Sequence, residues 1–127
     1  MRHDATTVLI VEDEGLIADM VRASLEDTAF AVLGSAATPE HALSLAAEHR
    51  PALALVDVRL AEGGDGIALA ARLQTDFAVR CIMMTGFGDT MTRARIAALG
   101  ADLLAKPFRF RRLHGVLEAA AAKEARP

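Results

Sequence analysis

Apolar residues in this chain fall into two alternating rhythms, short unbroken runs and longer stretches that repeat at helical spacing. TVLIV, residues 7–11, is β-branched and continuous, as a strand covered on both faces should be. Residues 14–28 follow, where Leu16, Ile17, Met20, Val21 and Leu25 mark one helical face. A second strand is predicted over 31–37, and then a helix over 38–49 with Thr38 as N-cap, Pro39 at its first position and Glu40 in its first turn. ALALVD (52–57) is a third strand, and 66–76 a helix that packs through Ile67, Leu69, Ala70 and Leu73. A fourth strand spans 79–85, and a short helix over 90–100 is closed by Gly100. A fifth strand covers 102–105, and a last helix spans 109–125 with Leu113, Val116 and Leu117 inward. Five strands, each followed by a helix, predict an α/β fold: a doubly wound, flavodoxin-like five-stranded parallel sheet with helices on both faces.

In such sheets ligands bind outside the carboxyl ends of the strands. The first strand ends in Glu12 and Asp13, the third in Asp57 and the fourth in Thr85, and the fifth is followed by Lys106 and Pro107. Any one polar strand end is ordinary. Three acids, a hydroxyl and a lysine at one edge form a set with a common chemistry. Clustered carboxylates repel one another unless a cation joins them. Hard oxygen donors without His or Cys favour magnesium over zinc. A carboxylate beside a divalent ion, a lysine and a hydroxyl is suited to accepting a phosphoryl group, because that transfer needs positioning and charge neutralisation above all. Asp57 is then the expected nucleophile, with Lys106 and Thr85 holding phosphoryl oxygens.

Composition narrows the field further. The chain has 127 residues, 53% hydrophobic and 24% charged, which suits one globular domain, residues 1–127 with a core over about 6–120. A net charge of −3 gives no reason to expect nucleic-acid binding. The N-terminal apolar run is too short for a signal peptide or a membrane span, so no membrane partner and a cytoplasmic location are expected. The single Cys81 reads as a core residue, which excludes an internal disulfide and a thiolate cluster. His3, His41, His49 and His114 are expected at the surface. The basic run KPFRFRRLH (106–114) reads either as a solvated helix face or as a patch that meets a partner.

VLIVEDE, ALVDVRL with GGDGIALAARL, CIMMTG and GADLLAKPF stand in one order and spacing. In these motifs the chain resembles the receiver domain of two-component response regulators over about residues 6–120. The resemblance implies strand order 2-1-3-4-5 and a Mg2+ cofactor held by Glu12, Asp13, Asp57 and the backbone carbonyl of Arg59. It implies that Asp57 is the phosphoacceptor, Thr85 the switch hydroxyl and Lys106 the phosphate-contacting lysine, with a cis Lys106–Pro107 bond. Glu14 has no family role and reads as a solvated acid at a helix start. Leu103 stands where the family carries Tyr or Phe, so threonine–aromatic coupling is not available in its usual form. Phe87 and Phe108 are alternatives for that ring, although core packing is the simpler role for each. Ala61 replaces a frequent proline and is expected to leave AEGGDG a looser loop. Gly86 replaces a common alanine and opens access beside Thr85. Arg59 and Phe87 are placed to screen a phosphoryl group from water and tune its lifetime.

The implied function is a phosphorylation-controlled signalling module, not an enzyme beyond its own phosphorylation and dephosphorylation. Its donor is a histidine kinase or histidine phosphotransfer protein. Its output is the surface of the fourth helix, fifth strand and fifth helix, near Arg93, Arg95, Arg109, Arg111 and Arg112, which suits an acidic partner or a second copy in a homodimer. With only one helix after Pro107, a stand-alone regulator is expected; a relay or sink excised from a hybrid kinase is the alternative. An aspartyl-phosphate hydrolase fits less well, because Glu12-Asp13-Glu14 is not the Asp-x-Asp such chemistry places after the first strand.

Overall fold

The computed structural model describes residues 5–86 and 89–124. Phe87, His3 and the end of the last expected helix lie outside the described residues. Counting the strands of the main sheet, the order is β1 (Thr6–Val11), α1 (Gly15–Ser24), β2 (Phe30–Ala36), α2 (Pro39–His49), β3 (Leu53–Asp57), α3 (Gly66–Phe77), β4 (Arg80–Thr85), α4 (Thr90–Leu99), β5 (Asp102–Ala105) and α5 (Phe110–Glu124). The five strands pair in parallel in the order β2-β1-β3-β4-β5. This is the doubly wound, flavodoxin-like sheet that the alternating rhythms predict.

Why the strand runs are continuously apolar is clear from the packing. Along β1, Val8 and Ile10 join a core layer with Val21 of α1 and Leu113, Val116 and Leu117 of α5. Leu9 and Val11 join the opposite layer with Ala42 and Ala46 of α2, Ile67, Leu69, Ala70 and Leu73 of α3 and Ile96 of α4. Alternate residues thus serve two cores, so neither face can be polar. Cys81 is fully buried, and burial pushes its thiol up to about 12.

Helix ends follow local chemistry. The Thr38 side chain accepts from the His41 N–H, Asp89 accepts from the Thr92 N–H, and Gly100 closes α4 at φ 69°. Four expectations need correction. The first helix ends at Ser24 instead of 28, where Leu25 caps it and Asp27 takes φ 61°. Leu16 (74% exposed) and Met20 (48%) face solvent, while Ala18, Val21 and Leu25 carry the buried side; helical spacing alone did not separate the two. AEGGDG is not a loose loop: Arg59–Leu60 pairs antiparallel with Gly64–Asp65 across a turn in which Glu62 takes φ 59°. His114 is only part-exposed, with its Nε2 buried and lacking a partner among the described residues. No described helix is long and apolar enough to cross a membrane.

Candidate functional site

Parallel strands bring their carboxyl ends to one edge, and the sheet order places β1, β3 and β4 side by side there. Glu12 follows β1 directly; its N–H donates to the Ala36 carbonyl at 2.9 Å, and its side chain is wholly buried. The Glu14 N–H donates to Glu12 Oε1 at 3.2 Å and turns the chain into α1. Asp13, between them in sequence, is exposed. Asp57 ends β3 with its side chain 13% exposed, and Thr85 ends β4, buried.

Lys106 joins the acids. Its N–H donates to the Thr85 carbonyl at 2.8 Å, and Nζ donates to Glu12 Oε2 at 2.8 Å and Asp57 Oδ2 at 2.9 Å. The other Asp57 oxygen, Oδ1, accepts from the Arg59 N–H at 3.3 Å. The Lys106–Pro107 bond is cis.

Burial pushes the Glu12 carboxyl up to about 7, the negative charge of Asp57 adding to the effect and the Lys106 hydrogen bond opposing it. Burial would lower the Lys106 ammonium, but hydrogen bonds to Glu12 and Asp57 and their charges outweigh it and hold the group above its ordinary value.

Carboxylate oxygens of Glu12, Asp13 and Asp57 lie within 4.8 Å of one another. An all-oxygen set of this kind can hold a hard divalent cation such as Mg2+. Asp57, Arg59, Thr85, Gly86 and Lys106 line one cleft of about 220 Å3 over this set. Gly86 is exposed and has open space where a Cβ would stand. Leu103 lies elsewhere, half-buried on β5 and packed against the α2–α4 core layer. Glu14 is exposed at the start of α1.

Three residues that sequence reasoning passed over shape the site. Thr92 of α4 lines the cleft, although nothing in its own segment pointed there. Asp65 caps α3 by accepting from the N–H groups of Ile67 and Ala68 at 2.9 and 3.1 Å, and its Oδ2 accepts from Arg95 Nη2 at 2.8 Å. Gly66 runs so close to β3 that a Cβ would stand 1.8 Å from the Asp57 carbonyl oxygen. The sequence signal for both was the Asp-Gly step opening the third helix.

Residues 8–118 match the family model described as the response regulator receiver domain. The phyllosphere-induced regulator PhyR of Methylorubrum extorquens is 39% identical over 106 residues, 82% of this chain and 39% of that protein. The transcriptional regulatory protein PdtaR of Mycobacterium tuberculosis is 32% identical over 118 residues, 91% of this chain and 57% of its own length. The chain therefore spans between about two fifths and three fifths of these relatives. Among solved structures, the signal receiver domain of a modulated diguanylate cyclase from Desulfovibrio desulfuricans superposes with a TM-score of 0.87 at 37% identity, covering 95% of this chain and 97% of that one.

Proposed function

The chain belongs to the response regulator receiver family, and from that premise we propose that Asp57 takes a phosphoryl group from the phosphohistidine of a histidine kinase or histidine phosphotransfer protein. One observation carries the reading: the Lys106 ammonium, 2.9 Å from Asp57 Oδ2, stands on the floor of an open cleft. Mg2+ held by Glu12, Asp13, Asp57 and the Arg59 carbonyl would neutralise charge on the entering phosphoryl oxygens. An Asp57 oxygen forms the new O–P bond while the donor N–P bond breaks, and the bonding pair returns to the imidazole nitrogen. Lys106 turns from a carboxylate oxygen to a phosphoryl oxygen, and the Thr85 hydroxyl donates to another. Arg59 shields the product from water at the cleft mouth. The donor can seat on the apolar hollow of Ile17, Met20, Phe108 and Phe110, which shares Gly86 and Lys106 with the cleft. The protein then works in the cytoplasm as a phosphorylated switch and turns over no other substrate.

The test is incubation with Mg2+ and acetyl phosphate followed by intact mass. Wild type is expected to gain one phosphoryl group, stable to acid and labile to base, and Asp57→Asn to gain none. Equal labelling of the two proteins would sink the assignment.

A further inference from the structure

Away from the phosphoacceptor cleft, the sheet edge at β5 carries a second and larger hollow, about 610 Å3, between β5 and the start of α5. Its floor is apolar, formed by Leu103, Pro107 and Phe108, and Arg109, Arg111 and Arg112 stand around it. All three arginines are exposed, and none has a salt bridge among the described residues. Arg95, by contrast, is tied to Asp65. Two features of the sequence oppose the stability of α5 at this place. Arg111 and Arg112 sit in its first turn, where cations are disfavoured by the helix dipole and no acid offsets them. Gly115 sits inside the helix, where glycine is disfavoured relative to alanine, and a Cβ there would meet nothing within 4 Å. Both features make sense if the hollow must stay open and positive. Leu103 acts in the same direction, since the larger ring expected at this position would fill the floor.

We propose that this hollow binds an acidic peptide segment of a partner protein, with an apolar side chain seated on Leu103 and Phe108 and carboxylates on the three arginines. A peptide is favoured over a compact anion because β5 is the edge strand of the sheet, with backbone available alongside the hollow for an extended chain. The proposal deepens the reading of the α4–β5–α5 face as the output surface by giving its partner a chemistry. The link to phosphorylation is short, since Ala105 and Pro107, both lining the hollow, flank Lys106.

The probe is a fluorescein-labelled peptide, Glu-Asp-Leu-Glu-Glu-Leu, titrated by anisotropy at low ionic strength with the unphosphorylated protein. Saturable binding is expected, weakened about tenfold or more by Arg111→Glu with Arg112→Glu. Leu103→Tyr should also weaken it, although it leaves the charge unchanged and so keeps the test decisive if the double variant folds poorly. Absence of binding, equal binding by all variants, equal affinity for an all-glutamate peptide, or displacement by ATP at lower concentration than by unlabelled peptide would each overturn the proposal. Because the titration needs no phosphate, failure of wild type to take label from acetyl phosphate would count against the phosphoacceptor alone.

Discussion

Gly66 and Cys81 show how single residues can be dictated by space. The ideal Cβ of an alanine at 66 would lie 1.8 Å from the Asp57 carbonyl oxygen and 3.0 Å from that of Val58, both main-chain atoms that cannot rotate away. Gly66→Ala must therefore separate α3 from β3. We expect it to cost about 1–3 kcal/mol or more, read as a lower urea midpoint, and to slow acetyl phosphate labelling by moving Asp57. An unchanged midpoint would mean that the two segments part freely. Cys81 presents the opposite case, a reactive group disarmed by burial. Its thiol, at about 12 in the folded protein, holds almost no thiolate at neutral pH. Maleimide should label it only as fast as the protein opens, and promptly in denaturant. Rapid labelling of native protein would contradict the packing.

At the scale of elements, strands were legible in the sequence because each had to satisfy two cores at once, which leaves an unmistakable apolar run. The strand-end residues Glu12, Asp57, Thr85 and Lys106 were legible for the same reason, since a parallel sheet carries its carboxyl ends to one edge. Leu16 and Met20 were misplaced because a helix beside the carboxylate edge of the sheet can carry apolar residues on two sides. The Arg59–Asp65 ribbon was missed because its pairing depends on Glu62 at positive φ, a conformation that residue type does not announce. Asp65 closes that ribbon, caps α3 and holds Arg95 of α4, whose own core contribution is Ile96. Although burial alone would raise the Asp65 carboxyl, the Arg95 hydrogen bond and the cap N–H groups hold it below its usual value. A depressed carboxyl contributes stability above its unfolded value and loses it as pH falls through the folded one. Asp65→Ala should thus cost about 1 kcal/mol at pH 7, and the gap to wild type should shrink by pH 3. Since the carboxylate and Arg95 are half exposed, the bridge itself accounts for at most about 1 kcal/mol. A gap independent of pH would assign the whole effect to helix propensity.

Across the whole molecule, the proposed phosphorylation of Asp57 must act on the proposed output face without an aromatic ring at position 103. The structure offers a main-chain route. Thr85 pairs with Ala105 across β4 and β5, and the Lys106 N–H bonds the Thr85 carbonyl at 2.8 Å. Movement of Thr85 or Lys106 toward Asp57 therefore pulls directly on the strand that feeds α5. With Mg2+ and beryllium fluoride as a phosphoryl mimic, amide resonances of residues 102–112 should shift more than those of 39–49. Mg2+ alone should raise the melting temperature by binding the folded state, and Asp13→Asn should remove most of that gain while leaving the fold intact. Leu103→Phe would not restore a missing switch on this view, because the backbone already carries the signal. A large increase in the mimic-induced shifts of that variant would instead show that the leucine had broken a side-chain relay.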